Sequence, residues 1–170
     1  MNLEKDFIDF VELLNKHEVE HMVVGGYALA FHGEPRMTGD MDIWIDRAET
    51  NATKMVDVMN EFGMASLGFS KEDFLKEGII NQVGYPPLRI DIMNEIDGVT
   101  YRQAIADKQT FKAGKLLIFY IGRNDFIKNK EATARKKDLK DAKKLKDQSK
   151  SPRSLLPKKT PGKKKGGRGI

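Results

Sequence analysis

A chain of 170 residues is the size of one compact domain with room for an appendage, and it can bury enough surface to fold without a disulfide or a structural metal. It has no cysteine and three histidines, His17, His21 and His32, which excludes a disulfide scaffold, a thiol nucleophile, a cysteine zinc site and an HExxH zinc motif. The net charge of +5 is unevenly divided: residues 1–127 carry 13 Lys and Arg against 21 Asp and Glu, residues 128–147 carry 9 against 4, and residues 148–170 carry 8 against 0.

In chain order, Leu3, Phe7, Phe10, Val11 and Leu14 recur at helical spacing, so residues 3–16 are predicted to form an amphipathic helix. EHMVV over 20–24 reads as a short strand that ends at Gly25 and Gly26, and YALAFHG starts a short helix that stops near Gly33 and Pro35. A polar turn, EPRMTG, leads into DMDIWID. There Met41, Ile43 and Ile45 alternate with Asp40, Asp42, Trp44 and Asp46, the pattern of a strand with one buried face. Residues 49–62 read as a helix ending at Gly63, and residues 70–77 as a shorter one. IINQVGY and PLRIDIM are two strands parted by Pro86 and Pro87. Residues 101–107 are ambiguous, KLLIFYIG is a short apolar strand, and residues 124 to about 147 are helical and highly charged.

No apolar run approaches the roughly 18 residues of a membrane span, and MNLEKDFIDF is acidic and amphipathic, unlike a signal peptide. The expectation is a soluble cytoplasmic protein with no membrane partner. QSKSPRSLLPKKTPGKKKGGRGI, with three prolines and four glycines, is expected to be a basic, disordered tail over 148–170, following a domain over 1–147. Such a cluster of Lys and Arg gains free energy by releasing counterions from nucleic acid, and is equally consistent with a solvated tail.

The chemistry concentrates around the glycine pair. A strand that turns into a helix through two glycines aims free N–H groups and the positive end of a helix dipole at its surroundings, and phosphate is the natural occupant. Asp40 and Asp42, two apart on a strand, project from one face with Cα atoms about 6.6 Å apart. A third carboxylate is expected from RIDIM, where Asp91 and Arg89 share a face and Ile90 and Ile92 take the other. Each like-charged pair at about 5 Å costs on the order of 3 kcal/mol at an effective dielectric near 20, so three acids there need a cation or protonation. Hard oxygen donors without His or Cys favour Mg²⁺ or Mn²⁺ over zinc. The alternatives are a solvated strand edge and a calcium loop. The EF-hand form of the latter fails, because Trp44 and Ile45 stand where an oxygen ligand and a glycine are required.

VVGGYALAFHGEPRMTGDMDIWID resembles the signature of the nucleotidyltransferase superfamily related to DNA polymerase beta: a hydrophobic strand, a glycine pair, a spacer, then Asp-x-Asp in a strand. The spacer of 13 residues between Gly26 and Asp40 is at the long end for that family. The similarity is closest to small bacterial members, the minimal nucleotidyltransferases and the nucleotidyltransferase components of toxin–antitoxin and abortive-infection systems. Arg36, Thr38, Asp40 and Asp42 match their Arg-x-Thr-x-Asp-x-Asp stretch. NKEATARKKDLKDAKKL is similar to their later helix, with Asn129, Lys130, Arg135, Lys137 and Asp138 at matching positions and Ala134 where those relatives usually have glycine.

The resemblance covers roughly residues 20–145 and implies an α+β fold, a mixed β-sheet flanked by helices with a C-terminal helix. It implies a nucleoside triphosphate bound with its phosphates on Gly25 and Gly26, and Asp40, Asp42 and Asp91 as catalytic residues holding Mg²⁺ or Mn²⁺. Arg36, Thr38 and Lys130 would complete the nucleotide-binding set. Arg36 and Lys130 would neutralise the triphosphate, and Thr38 serves equally as a turn cap. For Arg135, Lys137 and Asp138, packing through an ion pair is as good a reading as substrate contact, and for Trp44 packing is the better one. The implied reaction carries a nucleoside monophosphate from ATP or another nucleoside triphosphate to an RNA or protein hydroxyl, releasing pyrophosphate. RNA, a protein acceptor and a small helical toxin or antitoxin are the partners it brings into view. Two other classes compete: a non-catalytic interaction module that keeps the fold, and a metal-dependent glycosyltransferase, which leaves the glycine pair without a role.

Overall fold

The computed structural model describes residues 4–150. Six strands form one mixed sheet in the order β3-β4-β2-β1-β6-β5. The strands are β1 (His21–Val24), β2 (Asp40–Ile45), β3 (Ile80–Val83), β4 (Arg89–Met93), β5 (Gln109–Ala113) and β6 (Leu116–Tyr120). The helices are α1 (Lys5–Lys16), α2 (Gly25–Phe31), α3 (Glu49–Met59), α4 (Lys71–Leu75), α5 (Tyr101–Ala104), α6 (Arg123–Thr133) and α7 (Lys136–Lys150). This is the α+β architecture expected from the sequence. Of the basic tail expected over 148–170, residues 148–150 belong instead to α7, and residues 151–170 lie outside the described residues.

Helix α1 forms because its apolar residues share one stripe; Phe7, Phe10, Val11 and Leu14 are fully buried, each contributing about 1.5–3 kcal/mol by leaving water. At the centre of the sheet, β2 lies antiparallel to β1 and parallel to β4. The register sets Val24 of β1 opposite Asp42, and Asp40 and Asp42 opposite Arg89 and Asp91 of β4. Met41, Ile43, Ile90 and Ile92 point into the core from the other face.

The structure departs from the predicted elements in several places. Alternation predicts one buried face for β2, yet Trp44 on the acid-bearing face is 1% exposed, because α5 covers that end and sets Tyr101 edge-on to the indole. Strand β5 has no counterpart among the predictions: all five of its residues are exposed, so QTFKA shows no apolar alternation. The charged C-terminal stretch is two helices rather than one. Ala134 takes a left-handed φ of 55° and ends α6, and α7 continues past Asp147 to Lys150, where Gln148 bonds the carbonyl of Gly33 and the carboxylate of Glu34.

The helix predicted over 49–62 stops at Met59 and gives way to a π-turn, within which Gly63 has φ of 91°. The ambiguous stretch 101–107 becomes α5 and a 3₁₀ turn. Among the described residues, no helix is long and apolar enough to cross a membrane.

Candidate functional site

The C-terminal end of β1, the start of β2 and the middle of β4 meet in an open cleft of about 640 Å³, walled on one side by α6 and the start of α7. Clefts of similar size lie elsewhere on the surface. This one differs in its chemistry: Gly25, Gly26, Arg36, Thr38, Asp40, Asp42, Asp91 and Lys130, the residues singled out in the sequence, all line it.

Asp40, Asp42 and Asp91 each offer a carboxylate oxygen within 4.8 Å of the other two. The strand register produces this, since Asp42 and Asp91 are direct partners on parallel neighbours and Asp40 is one pleat away on the same face. Asp42 receives no side-chain hydrogen bond from a described residue. Its burial, followed by the charges of Asp40 and Asp91, pushes its carboxyl up to about 6, with Lys130 and Arg89 pulling the other way. Asp91 is itself 7% exposed. Three hard oxygen donors, close together and half-buried or buried, suit Mg²⁺ or Mn²⁺, so the donor set fits such an ion.

The glycine pair earns its place by packing. Gly25 has φ of 61°, and a Cβ there would overlap the Asp42 carboxylate; at Gly26 a Cβ would come within 2.8 Å of the Thr38 side chain. Glycine at both positions is therefore what lets the β1–α2 turn lie directly against Asp42 and Thr38. Thr38 does more than cap its turn, because its hydroxyl lies 2.9 Å from Asp40 Oδ1, to which it donates, and 3.1 Å from the Asp40 carbonyl.

The basic residues divide by partner. Lys130 Nζ donates to Asp138 Oδ1 at 3.0 Å, and Thr133 donates to Asp138 Oδ2 at 2.8 Å. Burial alone would raise the Asp138 carboxyl, but these two hydrogen bonds together with the charges of Lys130 and Arg135 hold it below the usual carboxylate range. Lys130 thus reaches the cleft already committed to an ion pair that ties α6 to α7. Arg36 lies 3.5 Å from Asp141 of α7, while Arg135 and Lys137 are exposed at the rim. Asn129 donates to the carbonyl of Asp97 at 3.0 Å and so fastens the segment after β4. Trp44 is packing, as expected.

Sequence reasoning placed Arg89 on the face of Asp91 and gave it no role. In the structure it sits among the acids: Nε donates to Asp91 Oδ1 at 2.7 Å, and Nη2 reaches Asp91 Oδ2 at 3.0 Å and Asp40 Oδ2 at 2.8 Å. The RxD spacing was the available signal, since residues two apart on a strand share a face. The contact with Asp40, however, depends on the pairing of β4 with β2.

The fold is similar to that of TM1012 from Thermotoga maritima, a protein described as a "putative nucleotidyltransferase": the TM-score is 0.51 at 15% identity, over 83% of this chain and 88% of that one. At that identity the likeness shows the fold alone, the α+β architecture the two chains share. No family model and no curated protein matches the chain.

Proposed function

We propose that this protein is a metal-dependent nucleotidyltransferase that transfers a nucleoside monophosphate from a nucleoside triphosphate, such as ATP, to a hydroxyl of RNA or protein, with release of pyrophosphate. The observation that carries the reading is the convergence of Asp40, Asp42 and Asp91 beside the Gly25–Gly26 turn, on a fold of the matching kind.

Asp40, Asp42 and Asp91 would hold Mg²⁺ or Mn²⁺, which when bound supplies charge neutralisation at the transferred phosphoryl group and its neighbouring oxygens. The chain's own groups divide the remaining work along the sheet. Gly25 and Gly26 let the start of α2 lie close against Asp42 and Thr38, where its backbone N–H groups would meet phosphate oxygens. Arg36 and Lys130 offset charge on the departing pyrophosphate, Lys130 while still paired with Asp138. Asp91 lies on the opposite side of Asp42 from the glycine turn, where an acceptor hydroxyl must enter for an in-line displacement. It is the group to accept that hydroxyl's proton. The basic C-terminal end would favour an RNA acceptor over a protein hydroxyl, and a small helical toxin or antitoxin would be a binding partner.

One observation favours a second reading. Arg89 already neutralises two of the three acids, as it would in an interaction module that keeps the fold without chemistry. Labelled nucleotide decides between them. With Mg²⁺ and total RNA or partner protein, α-phosphate label should become covalently attached and γ-phosphate label should not. Transfer of γ-label would make the protein a kinase, and transfer of neither would leave the module.

A further inference from the structure

The guanidinium of Arg89 stands between the two carboxylates that flank the site, and its two attachments are unequal. Asp91 is held by a two-point fork, Nε and Nη2 each on a different carboxylate oxygen, from a residue two places away on the same strand. Asp40 is held by Nη2 alone, across the β2–β4 pairing. Asp42, the third acid, receives nothing from Arg89. One positive charge is therefore bonded to two of the three carboxylates, and Asp40, which it holds by one oxygen, is also one of the acids that a shared cation would engage.

We infer that Arg89 is a resident counter-ion and latch: its bond to Asp40 opens when the acids take a divalent cation, while its fork on Asp91 stays closed and keeps that carboxylate aimed. The inference rests on the reading of the three acids as a metal site. Two like charges cannot share the gap at close range in a partly buried cleft without repulsion, so the guanidinium and the ion compete for Asp40. The Asp91 oxygens retain further lone pairs, so the fork need not break. A merely supporting arginine would behave in the opposite way, since losing it would loosen the carboxylates and weaken ion binding. The sign of one measurement therefore separates the two roles.

The experiment titrates Mn²⁺ alone, without nucleotide, into the full-length wild type and the R89Q, R89K and D42N variants, with free Mn²⁺ read by electron paramagnetic resonance. R89Q is expected to bind Mn²⁺ at least tenfold more tightly than wild type. R89K, which keeps the charge but cannot span both carboxylates, should bind at least threefold more tightly. D42N should bind more weakly than wild type. Equal or weaker binding by R89Q overturns the latch, and if R89Q does not fold without metal, equal or weaker binding by R89K does so. Mn²⁺ binding to wild type and both Arg89 variants with one affinity removes the latch and leaves the metal site standing. Mn²⁺ binding to none of them removes the metal site, and with it the proposed function.

Discussion

Two cation–carboxylate contacts face the same cleft and are built to different ends. Lys130 and Asp138 join α6 to α7 with their side chains only 11% and 8% exposed, and Thr133 fills the remaining carboxylate oxygen. Arg89 joins β4 to β2 with its own side chain 26% exposed and that of Asp40 33% exposed. Parting the first pair strands a charge out of water, which is expensive, so it behaves as a fixed brace. The second is wetter, and its single bond to Asp40 can give way to an incoming ion. Sealing a pair makes structure; leaving one open to solvent keeps its acids available.

The largest effect that would sharpen this contrast is at Asp42, the acid neither cation bonds. Asp42→Asn should lower α-label transfer by on the order of 10³-fold, the scale of several kcal/mol of lost metal-assisted stabilisation. It should also stabilise the metal-free protein. The folded-state carboxyl is raised to about 6, above its ordinary value, so the unfolded chain ionises first and stability is lost as pH rises between about 4 and 6. Relief of that penalty above pH 6 is worth about 3 kcal/mol. Urea melts at pH 5 to 8 check this; a destabilised variant would mean that Asp42 is structural.

Breaking the sealed brace should rank next. Lys130→Met leaves Asp138 buried without its partner and should cost about 3–5 kcal/mol, while Lys130→Met with Asp138→Leu should recover most of the loss. Chemical denaturation of the two variants measures the difference, and a single variant as stable as wild type would put Lys130 on the open side of the comparison.

A buried group remote from the cleft supplies the contrast of a titratable side chain with no charged partner bonded to it. His21 is 1% exposed, its Nδ1 lies 2.8 Å from the Val19 carbonyl and its Nε2 has no hydrogen-bond partner among the described residues, so burial lowers its pKa to about 4. The unfolded chain binds the proton first on acidification. Stability should therefore fall as pH drops from about 6.5 to 4, by about 3 kcal/mol in total. The pH slope of the melting temperature should flatten in His21→Phe.

The smallest effect concerns the joint between the braced helices. Ala134 holds a left-handed φ of 55°, which costs a residue with a Cβ about 1 kcal/mol relative to glycine, so Ala134→Gly should raise stability by roughly that amount. A loss of stability in calorimetry would show that the αL position is not strained.

The site was legible because its elements announce themselves locally. A glycine pair after an apolar run, Asp40 and Asp42 at strand spacing, and Asp91 in RIDIM need only the two-residue period of a strand to share a face. The roles of Lys130 and Arg89 were not legible, since Asp138 lies across a helix break that Ala134 does not signal, and Asp40 lies 49 positions from Arg89. β5 stayed hidden because an exposed edge strand needs no apolar alternation, and Trp44 because α5 had yet to be laid over it.

Local periodicity and turn chemistry thus settled which residues could be acids, glycines and core, because side-chain direction in a strand or helix follows from the backbone repeat. The pairing of β4 with β2, the turn from α6 into α7 and the cover of α5 were decided by tertiary structure. Those contacts join residues far apart in the chain, and the free energy of bringing them together is a property of the whole packed domain.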